Sequence, residues 1–157
     1  MAVIGLPENN LTFTVDHLAI ATASLGPEWD ARTPAERAEF VDLMFELIER
    51  AYDRIQTKAR GCRVEMTGQE MRPDGRIIRR FTARSPGAED DSMTFSLTFA
   101  GEDKKWLLKD FETDGVSLVS IYRSQFRKIL KNEGFAVLIQ KMKAKVEWDR
   151  AEEAAPR

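Results

Sequence analysis

His17 is the only histidine in a chain of 157 residues and Cys62 the only cysteine, so nucleophilic or metal chemistry would have to be built around these two. His17 follows Asp16, a base beside a possible orienting carboxylate. No serine sits in a G-x-S-x-G elbow that would present a nucleophile to it. One thiol and one imidazole make neither a disulfide nor a thiolate metal cluster, and Cys62 reads as an indifferent or buried thiol. The acidic run "GAEDDS" lacks the spaced ligands and closing glutamate of a calcium loop and reads as a solvated hairpin loop. No G-x-G-x-x-G or Walker loop offers a nucleotide site, so no cofactor is expected. One enzymatic reading survives: Asp110 as a general base, with Tyr52 or Tyr122 as proton donor, in an apolar pocket.

Charge narrows the partners. The 24 basic and 26 acidic residues leave a net charge of -2 and no basic block to neutralise phosphates, which argues against nucleic acid. One hairpin is locally basic, with Arg76, Arg79, Arg80 and Arg84 beside Arg72. Arg79 and Arg80 alternate across a strand and cannot both face a dry core, so Arg76, Arg79 and Arg80 are candidates for docking a protein. No apolar run approaches the roughly 20 residues of a membrane span. The opening "MAVIGLPENN" has neither the basic nor the apolar region of a secretion signal.

The elements that position these residues can be read from their punctuation. Thr14 or Asp16 caps a short helix over Leu18 to Leu25, stopped by Gly26-Pro27. Thr33, Pro34 and Glu36 form a capping box with proline at its first position. The long helix that follows carries Phe40, Met44, Leu47, Ile48, Ala51 and Ile55, with a second apolar stripe of Val41, Phe45 and Tyr52, and stops near Gly61. Four strands then read "CRVEMTGQEM", "GRIIRRFTAR", "SMTFSLTFA" and "KKWLLKDFET", separated by Pro73-Asp74-Gly75, Pro86-Gly87 and Gly101-Glu102-Asp103. Such short connections make an antiparallel meander. In the third strand Met93, Phe95, Leu97 and Phe99 share one face and Thr94, Ser96 and Thr98 the other. Past Gly115 one helix carries Leu118, Tyr122, Phe126, Ile129 and Leu130, and after Gly134 another carries Phe135, Leu138, Ile139 and Met142. The expected fold is α+β, one sheet with its helices on one face, as a single domain over 1–150 with a fraying tail at 151–157. At this length roughly 70% of the unfolded chain's surface can be buried. The abundance of large apolar side chains, set against so thin a catalytic inventory, favours a protein that holds an apolar ligand.

Two blocks resemble a known family. "WLLKDFETDGVSLVSIYRSQFRKILKNEGFAVLIQKMKAK" is similar to the C-terminal signature of the MlaC, or toluene-tolerance auxiliary, family of bacterial lipid carriers. Trp106, Asp110, Gly115, Val116, Ser117, Tyr122, Arg123, Gln125, Phe126 and Gly134 carry the likeness. "LGPEWDARTPAERAEFVDLMFELIERAYDRI" resembles the family's other block through Leu25, Gly26, Trp29, Thr33, Pro34, Arg37, Phe40, Leu47 and Tyr52. The resemblance covers about residues 12 to 145. It implies a twisted four-stranded antiparallel sheet wrapped by helices, with a lipid pocket between them. It also implies a non-enzymatic periplasmic carrier that moves phospholipid between an outer-membrane lipoprotein complex and an inner-membrane ABC transporter with MCE domains. Hopanoid is the other lipid linked to such proteins. Family members usually begin with a secretion signal and further helices, and neither is expected here.

On this reading the lipid would meet Phe45, Leu47, Tyr52, Phe95, Leu97, Phe99, Leu108, Val116, Tyr122 and Phe126. Gly115 would turn the chain, Ser117 would cap the next helix, and Val116 between them would point into the pocket. Asp110 and Arg123, on either side of that turn, are expected to form an ion pair or share hydrogen bonds.

Overall fold

In the computed structural model, which describes residues 3–5, 12–102 and 105–155, two short strands precede the first helix: β1 (Val3–Gly5) and β2 (Thr12–Val15). There follow α1 (His17–Leu25), a 3-10 turn (Gly26–Trp29), α2 (Pro34–Ala59), β3 (Arg63–Met71), β4 (Ile77–Ser85) and β5 (Ala88–Glu102). The chain continues through β6 (Lys105–Thr113), the two-residue β7 (Val116–Ser117), α3 (Leu118–Asn132) and α4 (Phe135–Ala154). Asp16, not Thr14, caps α1, its carboxylate accepting from the Ala19 N–H at 3.0 Å. At α2 the Thr33 hydroxyl accepts from Glu36 N–H at 3.2 Å, and the Glu36 carboxylate accepts from Thr33 N–H at 2.9 Å.

The strands line up as β1-β2-β6-β5-β4-β3, with β7 appended to β6. The expected meander β3 to β6 is antiparallel throughout. The expectation of a four-stranded, purely antiparallel sheet is nevertheless wrong: β2 adds to β6 in parallel through Thr14↔Leu107 and Val15↔Leu108, and β1 pairs with β2. The sheet is mixed and open. "TFTV" is four residues beside a strong helix signal, and its partner lies far away in sequence, so no local pattern announces it. The side chains of Phe13 and Val15 nonetheless both enter the core.

A bulge sets the inner face of β6. Pairing steps from Thr98↔Asp110 to Phe99↔Leu108, leaving Lys109 as the extra residue. Strict alternation would put Leu108 and Phe111 on opposite faces; the bulge lets both be buried. They join Phe81, Phe95, Leu97 and Phe99 against Phe40, Met44, Ile48, Leu138 and Met142 of the helices.

Two segments are more ordered than their composition suggests. The acidic "GAEDDS" run is no hairpin loop: the turn is Pro86–Gly87, and β5 begins at Ala88. The helix α4 runs through "EWDRAEEA" to Ala154, with Asp149 buried among the cations Arg54 and Lys145 at 3.2 and 2.9 Å. Asp103, expected in a turn, and most of "MAVIGLPENN" lie outside the described residues.

Candidate functional site

The junction of β6 with α3 frames the site. Asp114 (φ 49°) and Gly115 (φ 83°) are consecutive left-handed residues, the backbone of a tight hairpin turn. Glycine adopts this freely and aspartate tolerably. The Asp114 carboxylate is also held by Thr94, accepting from its N–H at 3.1 Å and its hydroxyl at 3.2 Å. β7 then folds back on Glu112 and Thr113. Ser117 caps α3, accepting from Ser120 N–H at 3.1 Å.

Asp110 and Arg123 are not an ion pair. The Asp110 carboxylate accepts from Phe111 N–H at 2.9 Å, from Val119 N–H at 3.2 Å and from the Ser117 hydroxyl. It is drawn to the free N–H groups and positive dipole end of the new helix. Arg123, farther along α3, donates from Nε and Nη2 to the Ala23 carbonyl at 2.9 and 2.7 Å, satisfying the C-terminal end of α1. Asp110 is therefore a capping residue. Among the described residues it bonds to neither tyrosine, and both tyrosines are held neutral. Burial pushes the Tyr122 hydroxyl up to about 12, with Arg54 pulling against and Asp149 adding to the shift. Burial also raises Tyr52, helped by Asp53 and Glu49. This geometry gives the acid–base reading no support.

Between α2 and the β6–β7–α3 junction lies a cleft of about 250 Å³. Its walls are Ala51, Arg54, Ile55 and Lys58 of α2 on one side and Phe111, Thr113, Val116, Leu118 and Ile121 on the other. Arg54 and Lys58 also wall a charged groove of about 650 Å³ between the ends of α2 and α4, alongside Arg50, Asp53, Thr57, Asp149, Glu152 and Glu153, with Arg54 held to Asp149 at 3.2 Å. One helix turn of α2 thus separates an apolar recess from a charged one. Below the cleft the aromatic core continues from Phe111 to Tyr52 to Phe13 to Phe99, with ring centroids 5.8, 6.3 and 5.0 Å apart.

The ten residues expected to meet lipid fall in four different settings. Leu47, Tyr52, Phe95, Leu97, Phe99, Leu108 and Phe126 are buried in the core and do not line the cleft. Tyr122 is half-buried, stacked on Phe126 at 5.4 Å. Val116 is 52% exposed at the cleft wall. Phe45 belongs elsewhere: 41% exposed, it stacks on His17 at 4.2 Å, and His17 Nε2 lies 2.6 Å from the Glu49 carboxylate. Sequence reasoning missed Arg54 and Lys58, although Arg50, Arg54 and Lys58 recur at four-residue spacing in a row that contrasts with the apolar stripes of α2.

The basic hairpin is less basic than its sequence. Arg79 donates to Gln69 at 3.0 Å, Arg80 to Glu70 at 2.7 Å, and Arg76 lies 3.8 Å from Asp74. Cys62 is half-buried, its thiol donating to the Lys58 carbonyl at 3.1 Å. Among the described residues no group of acidic, His or Cys side chains could hold a metal, and no helix is long and apolar enough to cross a membrane.

No curated protein matches the sequence. Among solved structures, the phospholipid-binding protein from Ralstonia solanacearum, determined in complex with a phospholipid, superposes with a TM-score of 0.72 at 19% identity, over 85% of this chain and 74% of its own. The likeness establishes a shared fold. The family model for MlaC protein matches residues 6–144, nearly the whole chain, and the chain belongs to the MlaC family.

Proposed function

We propose that the protein is a non-enzymatic phospholipid carrier whose cleft admits acyl chains and whose neighbouring groove receives the head group. The observation that carries this is the shared wall of Arg54 and Lys58, with an apolar recess on one side and a charged groove on the other. That arrangement matches an amphiphile with an anionic phosphate at its waist. At about 250 Å³ the cleft is smaller than the ~300–1,000 Å³ of typical ligand sites, so acyl chains enter by parting Phe111 of β6 from Tyr52 of α2. Each buried methylene contributes about 0.8 kcal/mol. A dozen would supply on the order of 10 kcal/mol, enough to open a core whose net stability is roughly 5–15 kcal/mol. Family membership supports the wider role of moving lipid in the periplasm between an outer-membrane lipoprotein complex and an inner-membrane ABC transporter, with Arg76, Arg79 and Arg80 as a docking surface.

The test is lipid extraction and native mass spectrometry of the purified protein and of Val116→Glu. Val116 is half exposed, so the substitution spares the core, yet it places a carboxylate in the acyl path, where burial is costly. Wild type is expected to carry phospholipid or hopanoid and the variant to fold with far less. A folded variant with a wild-type lipid load would show that the lipid lies elsewhere.

A further inference from the structure

The helix α3 contains Arg123, Arg127, Lys128 and Lys131 and no acidic residue, in a chain of net charge -2. On α2 and α4 cations meet carboxylates, as Arg50 does Glu153, Lys143 does Glu39 and Arg150 does Glu46. Of the cations on α3, Arg123 alone has a partner among the described residues, the Ala23 carbonyl. Arg127, Lys128 and Lys131 are exposed and, among the described residues, meet no carboxylate within ion-pairing distance. With Ser120, Ser124 and Asn132 they line an open concavity of about 500 Å³ that no apolar side chain enters. Like charges one turn apart, such as Arg127 and Lys131, weaken a helix, so the fold gains nothing from this arrangement.

We propose that the outward face of α3 docks on the surface of an anionic phospholipid bilayer. A protein partner would need aromatic or aliphatic anchors at the centre of its footprint, and this face has none. A bilayer supplies a plane of phosphates and needs only cations facing it. The first turns of α3 also carry Leu118 and the 37% exposed Ile121 at the cleft. The helix that docks thus also forms one wall of the cleft, a link whose purpose rests on the carrier reading, although the docking itself does not.

Sedimentation of the full chain with vesicles at low salt tests this. Wild type should bind phosphatidylcholine vesicles doped with phosphatidylglycerol, release them as salt is raised, and ignore pure phosphatidylcholine. The variant carrying Arg127→Gln, Lys128→Gln and Lys131→Gln should partition roughly a hundred-fold more weakly while retaining wild-type co-purified lipid. Val116→Glu should do the reverse, losing lipid load and keeping vesicle binding, so the two readings fail separately. Equal binding to both vesicle types, a triple variant that binds like wild type, or binding only to an acidic protein would overturn the proposal.

Discussion

Replacing Asp110 separates a capping role from a catalytic one. Asp110→Ala removes the acceptor for three donors: Phe111 N–H, Val119 N–H and the Ser117 hydroxyl. Losing a helix cap costs about 1 kcal/mol, and losing a carboxylate at the positive end of a helix about 0.3–1 kcal/mol. Donors left without partners add roughly 1–3 kcal/mol when fully buried. Asp110 is only half-buried, so water takes up part of that last cost, and the whole loss comes to about 2–4 kcal/mol. For a chain of this length that is a fall in Tm of roughly 5–15 °C. Asp110→Asn keeps one oxygen, and its amide can donate to a rotated Ser117 hydroxyl, so it should lose only about 1 kcal/mol. The assay is urea unfolding of the two variants beside measurement of co-purified lipid per folded molecule. Alanine should be worse than asparagine for stability, and both should leave lipid load unchanged. An asparagine variant of unaltered stability but abolished function would refute the capping argument and restore Asp110 as a reacting group.

Ile121→Ala removes three carbons from the cleft wall at a half-exposed site; stability should move by less than about 0.5 kcal/mol while lipid binding weakens at least ten-fold, as read by lipid competition, and unaltered affinity would place the acyl chains elsewhere. Charge reversal at Arg76, Arg79 and Arg80 should leave the unfolding midpoint nearly unchanged, since these are surface pairs, but should weaken binding to purified transporter components at low salt; equal affinity would remove the hairpin as a docking surface. Tyr52 and Tyr122 are the only tyrosines, and both have folded pKa values raised above the unfolded value near 10. Their contribution is therefore complete below pH ~10 and is lost above it, by about 1.4 kcal/mol per pH unit for each tyrosine. Tyrosinate absorbance should then appear only as the fold is lost, and ordinary titration near pH 10 in a folded protein would contradict the burial.

What could be read from the sequence was local. The Thr33 box, the alternation of Phe95, Leu97 and Phe99, and the turns at Gly75, Gly87 and Gly115 each depend on neighbours within a few residues, and each formed as read. β2 went unseen because it pairs with β6 across the whole middle of the chain. The burial of both Leu108 and Phe111 went unseen because a one-residue bulge breaks the period that strand reading relies on. Phe45 shows a third limit. Helical spacing put it on an apolar stripe, but a stripe wider than the surface it packs against leaves one edge in water, and there it stacks on His17.

The residues most visible as a signature hold the frame, and the residues that line the cleft are ordinary. Arg37 donates to the Trp29 and Asp30 carbonyls at 2.9 and 3.2 Å and lies over the Trp29 ring. Arg123 reaches the end of α1 beside Gly26, and Asp110 and Ser117 start α3. Each task needs a particular donor, acceptor or backbone angle, so each admits few residue types and stands out when a sequence is read. The cleft is walled by Ala51, Ile55, Phe111, Val116, Leu118 and Ile121, and of these only Val116 belongs to the signature. Burial of an acyl chain is non-directional and scales with area, so many apolar side chains serve equally and none is marked by type. On the proposed carrier reading a directional requirement would enter only where the lipid becomes polar, at Arg54 and Lys58, where the lining turns from aliphatic to charged within one helical turn. Sequence motifs in such a fold therefore locate the scaffold, and on the carrier reading the ligand would be located by the place where an apolar wall meets a charged one.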